Sequence, residues 1–221
     1  MIARISPQAR IIDLGHGVPP QDVRTGARRL ARALPFTPPG VHLAVVDPGV
    51  GTARRAVALK ARDRILVGPD NGLLVEGRQI DAAVEISNSP WRLEPVSATF
   101  HGRDIFAPVT AHLANGAPFE AAGEPIAVET LERLPVLAPR PGIVQVVEVD
   151  GFGNLITNGE LPQGDVRIGG HAVTVGRTFG DVAPGGLVIY EDSAGDVAIA
   201  VNGGSAAARL DVTIGDELEL Q

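Results

Sequence analysis

Two short segments of this chain place ionisable side chains beside glycines, an arrangement found in many catalytic loops. They run Val46-Asp47-Pro48-Gly49-Val50-Gly51-Thr52-Ala53-Arg54-Arg55 and Thr99-Phe100-His101-Gly102-Arg103-Asp104. Asp47 supplies a carboxylate, Arg54 a permanent cation, and His101 a base that titrates near neutral pH. These residue types can together orient and activate a water molecule, so the sequence indicates catalytic chemistry at these segments.

Each of these residues also has an ordinary structural interpretation. Asp47 before Pro-Gly is typical of a turn residue that bonds its own backbone. A single histidine more often makes a structural hydrogen bond, and Asp104 is predicted to cap the helix that follows His101. Gly49-Val50-Gly51 lacks the third glycine of a dinucleotide fingerprint, because Arg54 stands there, and is weak evidence for a nucleotide.

Composition argues against several classes of function. With 44% apolar residues, the 221-residue chain can bury a core, and its net charge of −7 disfavours nucleic acid as a partner. No apolar run approaches the ~20 residues that a membrane span needs. Neither a secretory leader nor a membrane contact is predicted, and a cytoplasmic location follows. The chain has no cysteine, and its five histidines lack metal-binding spacings, so no metal site is predicted.

Strand-like and helix-like runs alternate in the first part of the chain. Strands are predicted at residues 11–14, 41–46, 56–59 and 65–67, and helices at residues 23–33 and 105–113. Asp22 is the expected N-cap of the first helix. The alternation predicts an α/β N-terminal domain over residues 1–135, with a mostly parallel sheet and flanking helices.

A proline-rich stretch at residues 136–142 is predicted to be a linker. Beyond it, short β-rich runs are separated by turns that contain glycine, asparagine and aspartate. The runs lie at residues 143–149, 155–157, 166–168, 172–175, 187–190, 197–201 and 210–220. They predict that residues 143–221 form a C-terminal all-β, barrel-like domain.

Taken together, six motifs closely resemble the S-adenosyl-L-methionine (SAM) hydroxide adenosyltransferases, which are relatives of the SAM-dependent fluorinase and chlorinase. The motifs span nearly the whole chain and include Asp13-Leu14-Gly15-His16, the two segments above, Gly68-Pro69-Asp70-Asn71-Gly72, Asp150-Gly151-Phe152-Gly153-Asn154 and Asn202-Gly203-Gly204-Ser205. The family fold, an α/β domain followed by a β-barrel, agrees with the pattern of elements. Family members begin with a further strand that ends in Thr-Asp-Phe-Gly, which this sequence lacks. We expect the natural start to lie upstream of Met1, and a real truncation is the alternative.

The resemblance implies a set of site residues. Asp47, Arg54 and His101 match the family's catalytic residues. The implied substrate-binding residues lie in the second half: Asp150, Phe152 and Asn154 in a ligand-binding turn, Phe179 stacking on adenine, Ser193 at the methionine end, and Asn202 and Gly203 at the adenine edge. The resemblance further implies a homotrimer that holds SAM between subunits, with SAM as a substrate and with no cofactor or metal.

The implied reaction is hydrolysis of SAM to adenosine and L-methionine by attack of water on the ribose 5′ carbon. One alternative is a non-catalytic trimeric protein that binds SAM or adenosine. A less favoured alternative is a halogenase. Halogenases of this family carry Tyr, Thr and Ser where this chain has Asp47, Val50 and Gly102. A carboxylate at position 47 would repel a halide, so these residues favour water as the nucleophile.

Overall fold

Two units divide the chain in the computed structural model, which describes residues 1–87, 90–138 and 140–221. The N-terminal unit is Met1–Leu134 and the C-terminal unit is Pro135–Gln221. The linker predicted at residues 136–142 includes residue 139, which lies outside the described residues.

A five-stranded sheet with the order β1-β3-β2-β4-β5 forms the centre of the N-terminal unit. Its strands are β1 (Gly40–Leu43), β2 (Ala56–Ala61), β3 (Arg64–Pro69), β4 (Ala82–Glu85) and β5 (Glu124–Ile126). Only the β1–β3 pairing of this described sheet is parallel, and the other three pairings are antiparallel. The mostly parallel sheet predicted from the sequence is therefore wrong. The reason is local, because a two-residue turn joins β2 directly to β3 and leaves no room for a crossover helix.

Helices cover both faces of this sheet. They are α1 (Ile2–Ile5), α2 (Val23–Ala33) and α3 (Ala107–Ala114), with short 3₁₀ turns at Leu34–Phe36, Phe119–Ala122 and Val128–Thr130. Side chains of β2 alternate between the faces, so Leu59 packs in the cluster that contains Leu30 of α2. Ala58 packs in the opposite cluster, with Val109 of α3. This alternation produces three layers and confirms the α/β character.

Both predicted helices form, and α2 begins directly after the residue predicted to cap it. The Asp22 carboxylate accepts a hydrogen bond from the Thr25 amide at 2.9 Å, which caps α2. Pro35 lies in the 3₁₀ turn that follows α2, and Gly116, with φ of +88°, follows α3.

Two strand predictions in this unit are wrong. Residues 11–14 form no strand, and Ile11, Ile12 and Leu14 are about half exposed. An apolar run becomes a strand only where a neighbour pairs with its backbone, and none of the described strands does so here. The buried strand predicted at residues 41–46 is instead the short edge strand β1, with Val45 exposed beyond it.

Seven strands in the order β12-β6-β7-β11-β10-β9-β8 form the C-terminal unit. They are β6 (Ile143–Val149), β7 (Leu155–Thr157), β8 (Val166–Ile168), β9 (His171–Val175), β10 (Leu187–Glu191), β11 (Val197–Val201) and β12 (Glu217–Glu219). Backbone hydrogen bonds in both directions join Arg167 of β8 to Gln221 beyond β12, at 2.8 and 3.0 Å. The two edges of the sheet therefore meet, and the sheet is a nearly closed barrel.

The predicted barrel strands match closely, with one exception. The run at residues 210–220 forms a strand only at Glu217–Glu219, because the preceding segment ends a short helix, α4 (Ala206–Leu210). Ser205 caps this helix by accepting from the Ala208 amide. The helix takes only Leu210 from the predicted run, and residues 211–216 form turns and irregular backbone that begin with Asp211 at a φ of +55°.

Candidate active site

The connection between β1 and β2 contains a loop of residues 47–54, and two of the predicted catalytic residues stand at the two ends of this loop. Arg54 Nε donates to Asp47 Oδ1 at 3.1 Å, and Arg54 Nη2 donates to Asp47 Oδ2 at 2.5 Å. The Asp47 and Arg54 side chains are only 6% and 7% exposed. A bidentate pair shielded from solvent is among the strongest and most directional polar contacts in proteins.

The third predicted residue meets this pair. His101 begins a π-helical turn (Gly102–Phe106) that continues into α3. Its Nδ1 lies 3.1 Å from Arg54 Nη2. Because a guanidinium can only donate, Nδ1 must be the unprotonated nitrogen, and the neutral ring carries its proton on Nε2. The structure thus brings all three predicted catalytic residues into one cluster.

The environment of His101 holds its pKa below the ordinary value of 6.5. Burial is the largest cause, and the positive charge of Arg54 is the next. The carboxylates of Asp47 and Asp104 act in the opposite direction, and Arg92 lowers the pKa slightly further. His101 is therefore a neutral base at physiological pH.

Two buried residues support the cluster from the π-helical turn. The Arg54 guanidinium carbon lies 5.3 Å from the centre of the fully buried Phe106 ring, a cation–π contact. The prediction that Asp104 caps the helix is wrong, because Asp104 lies inside the turn and is 1% exposed. Its carboxylate accepts from the Arg103 side chain and from the Ser97 amide, and these bonds, that from Arg103 most strongly, lower its pKa to about 2.

The loop of residues 47–54 also closely approaches the segment that precedes His101. Gly51 has φ of +77°, and a Cβ built there would lie 2.5 Å from the Ala98 carbonyl oxygen. Only glycine permits both this backbone conformation and this approach. The contact brings the loop that carries Asp47 and Arg54 against the segment that leads to His101.

In the C-terminal unit, the predicted ligand-binding turn is a tightly bonded hairpin between β6 and β7. Asp150 Oδ1 accepts from the Phe152 and Asn154 amides at 2.8 and 2.9 Å, and its Oδ2 accepts from Asn154 Nδ2 at 2.9 Å. These bonds leave the Phe152 ring 83% exposed. The turn therefore holds an exposed aromatic side chain on a backbone that is fixed by hydrogen bonds.

The remaining predicted binding residues lie in three loops of the barrel. Phe179 is 53% exposed and begins a 3₁₀ turn (Phe179–Asp181). Asn202 Nδ2 donates to the Val182 carbonyl at 2.7 Å, which ties the Phe179 loop to the end of β11 that also carries Gly203. Ser193 lies in the turn before β11, at the opposite end of this strand.

Several residues near these sites were not assigned a role from the sequence. Tyr190 is one, and burial together with the charges of Asp150 and Asp192 raises its pKa. Asp70 and Asn71 are others: their motif was part of the family resemblance, and its place at the end of a predicted strand was the signal that could have suggested a role. Among the described residues, no three His, Asp or Glu side chains cluster in a way that could hold a metal ion. No helix in the described part of the chain is long and apolar enough to cross a membrane.

The polar cluster on an α/β sheet, followed by a barrel unit, defines a two-domain enzyme that acts on a small molecule. A model of the SAM hydroxide adenosyltransferase N-terminal domain matches residues 1–123, and a model of the C-terminal domain matches residues 144–219. The chain therefore belongs to the SAM hydroxide adenosyltransferase family.

Similar proteins agree with this assignment. (R)-S-adenosyl-L-methionine hydrolases from Salinispora tropica and Thermus thermophilus are 52% and 45% identical to the whole chain, which covers 89% and 91% of them. A fluorinase from an Actinoplanes species is more distant, at 30% identity over 72% of this chain and 64% of the fluorinase. The crystal structure of an uncharacterized conserved protein from Thermotoga maritima matches 100% of this chain and 92% of its own, with a TM-score of 0.88 and 40% identity.

Proposed function

We propose that this enzyme hydrolyses SAM to adenosine and L-methionine, with Asp47, Arg54 and His101 as its catalytic residues. Relatives that are 45–52% identical over the full chain are named as SAM hydrolases. The observation that carries the residue assignment is the bidentate Asp47–Arg54 pair, whose guanidinium also donates to His101.

The chemistry of the substrate explains why these residue types suffice. A new bond forms between the water oxygen and the ribose 5′ carbon while the bond from this carbon to the sulfonium sulfur breaks. The sulfur takes the bonding electrons and leaves as the neutral thioether of methionine, so no acid needs to protonate it. The remaining difficulty is the weakness of water as a nucleophile, which alignment and proton removal overcome. The reaction as written needs no cofactor.

Each of the three side chains has one task in this proposal. Arg54 stabilises negative charge that develops on the attacking oxygen. Asp47 holds the guanidinium in one orientation. His101 takes up the proton that the water loses, and its basic atom is Nδ1. Because Arg54 Nη2 contacts Nδ1 at 3.1 Å, proton uptake requires the imidazole or the guanidinium to shift as the water enters.

The halogenase alternative is disfavoured by charge. Asp47 occupies the position at which halogenases of this family carry Tyr, and its side chain is only 6% exposed. Like charges at close range in a poorly solvated site repel strongly. Val50 and Gly102 also lack the hydroxyl groups that could hold a halide in a dry pocket.

The exposed barrel residues are the proposed binding surface for the rest of the substrate. Phe179 stacks on adenine, and Asn202 and Gly203 read the adenine edge. Ser193 holds the methionine end, and the turn that begins at Asp150 contacts the ligand as well. In this proposal the molecule is a homotrimer in which neighbouring subunits complete each site. This assembly predicts a solution mass of about three times the chain mass of 22.9 kDa, and a mass near that of a single chain would contradict it.

The catalytic assignment is tested by replacing its three residues one at a time. Asp47→Ala, Arg54→Ala and His101→Ala are each expected to lower kcat by about a hundredfold or more, with SAM binding changed only a few-fold. Adenosine measured by chromatography gives turnover, and calorimetry gives SAM affinity. The control is His171→Ala in the barrel, which leaves turnover unchanged. Wild-type turnover in all three variants contradicts the assignment.

A further inference from the structure

Asp70 and Asn71 follow the end of strand β3 and lie beneath the loop of residues 47–54, which is called the catalytic loop because it carries Asp47 and Arg54. Neither Asp70 nor Asn71 has a role in the function proposed for this loop. β3 lies between β1 and β2 in the sheet. The loop of residues 47–54 leaves β1 and enters β2, so it crosses over the end of β3 and spans two strand spacings, about 9.6 Å. Residues that follow β3 can therefore contact both ends of this loop.

Asn71 binds the end of the loop that carries Asp47. Its Nδ2 donates to the carbonyl oxygen of Val46 at 2.9 Å, one residue before Asp47. Its Oδ1 accepts from the Leu73 amide at 3.2 Å. Because both ends of the amide have partners, the orientation of the Asn71 side chain is defined.

Asp70 binds the end of the loop that carries Arg54. Its amide donates to the Arg55 carbonyl at 2.9 Å, and Arg54 Nη1 donates to this same oxygen at 3.0 Å. The Asp70 carboxylate is 3% exposed and accepts from Arg55 Nε at 2.8 Å. Its other oxygen accepts from the Glu132 amide at 2.9 Å, which holds the carboxylate in place.

We propose that Asp70 and Asn71 are positioning residues that hold the two ends of the catalytic loop, so that Asp47 and Arg54 meet in one geometry. This inference rests on the proposed function for its effect on rate, but its geometric part does not depend on the reaction. This role does not require Asp70 or Asn71 to contact the substrate. A bidentate pair tolerates little displacement, and a shift of ~1 Å at a catalytic group can cost about a hundredfold in rate.

The sharpest test is Asn71→Asp, because this change keeps the size of the side chain and the oxygen that accepts from Leu73. It replaces the donor to Val46 by a second oxygen, which faces the carbonyl, and it adds one negative charge, which the control variant must also carry. The matched control is Asn158→Asp in the barrel. Asn158 likewise donates from Nδ2 to a backbone carbonyl, that of Leu137 at 3.1 Å, and accepts from a backbone amide, that of Gln145 at 2.7 Å.

We expect Asn71→Asp to lower kcat about ten- to a hundredfold with KM within about threefold of wild type. Asn158→Asp is expected to keep kcat within about twofold, even if its melting temperature falls as much as that of Asn71→Asp. Turnover is measured well below the melting temperature, where a change that only destabilises the fold leaves the enzyme folded and its kcat unchanged. If Asn71→Asp does not fold, Asp70→Asn is measured in the same way.

A second readout needs no turnover. The Arg54 Nε–H group, which donates to Asp47, is assigned in nitrogen-15 NMR spectra by its loss in Arg54→Lys. Its exchange with solvent is expected to become faster in Asn71→Asp and to stay unchanged in Asn158→Asp. Unchanged exchange and unchanged kcat in Asn71→Asp overturn the positioning role. Absence of adenosine from the wild-type enzyme overturns the proposed function instead, and the exchange measurement then still decides the positioning role.

Discussion

The position of one proton on His101 determines what the three-residue cluster can do. Arg54 donates to His101 Nδ1, so a protonated Nδ1 would bring two donors and two positive charges together. Burial and the Arg54 charge both oppose this state, and Asp47 and Asp104 only partly compensate. The arrangement therefore keeps a free base available at neutral pH.

We predict that His101 titrates below 6.5 and that removing the Arg54 charge raises its pKa. In Arg54→Gln the opposing cation is gone, and the Asp47 carboxylate also loses its partner, so both changes favour the protonated ring. NMR titration of the ring, assigned by its loss in His101→Asn, measures this pKa. In the wild type the acid limb of kcat/KM is expected below pH 6.5 for the same reason.

The exposed residue Arg62 supplies the control for this titration. Arg62→Gln removes an equal charge at the turn between β2 and β3 and is expected to leave the His101 titration unchanged. A wild-type pKa at or above 6.5, or no upward shift in Arg54→Gln, contradicts the description of His101 as a base held neutral by burial and by Arg54.

At the scale of elements, the site depends on two chain segments that meet at one glycine. We predict that Gly51→Ala lowers kcat about tenfold or more, because its Cβ would press on the Ala98 carbonyl and separate the catalytic loop from the segment leading to His101. The variant also places alanine at a φ of +77°, which costs about 1 kcal/mol of stability. Turnover and thermal unfolding are measured together.

Gly77→Ala separates these two effects. Gly77 also has a positive φ, +66°, but no atom lies within 4 Å of a Cβ built there. This control is expected to lose similar stability and to keep its kcat. If both glycine variants lose turnover equally, backbone strain and not the contact with Ala98 explains the effect of Gly51→Ala.

Elements whose signals are local could be predicted from the sequence. Asp22 caps α2 as expected, and six of the seven predicted barrel runs contain strands at the expected positions, because alternation and glycine-rich turns are encoded within a few residues. The direction of neighbouring strands could not be predicted in this way. The parallel partner of β1 is β3, which β2 separates from it in sequence, and alternation alone does not reveal this order.

The site was predicted only in part, because contacts between residues that are distant in sequence leave no local signal. Asp47, Arg54 and His101 could be selected because their residue types are able to activate water and their motifs resemble a known family. Residues that act by contact were not selected. Phe106 contacts Arg54 because the π-helical turn before α3 packs against the site. Asp104 accepts from the Ser97 amide because it lies inside this turn, and a π-helical turn has no clear sequence signature.

At the scale of the whole molecule, the proposed function assigns the chemistry to the N-terminal unit and most of the substrate binding to the C-terminal unit. The N-terminal unit contains the complete polar cluster, and the C-terminal unit presents exposed aromatic rings on bonded turns. This division means that substitutions in the barrel should change substrate binding much more than the rate of the chemical step.

We predict that Phe179→Ala raises KM for SAM about five- to a hundredfold with little change in kcat. A base stacked on an aromatic ring gains about 1–3 kcal/mol, which corresponds to this range. The matched control is Phe36→Ala, whose ring is 88% exposed in the N-terminal unit. Both variants are expected to keep their melting temperature, and an unchanged KM in Phe179→Ala contradicts the binding role of this barrel surface.

The measurement that tests the central claim most directly is the fate of the water oxygen. SAM is incubated with the enzyme in oxygen-18-labelled water, and the products are analysed by mass spectrometry. Attack of water on the ribose 5′ carbon predicts adenosine that carries one labelled oxygen, together with unlabelled L-methionine. Unlabelled adenosine, label in methionine, or no adenosine contradicts the account.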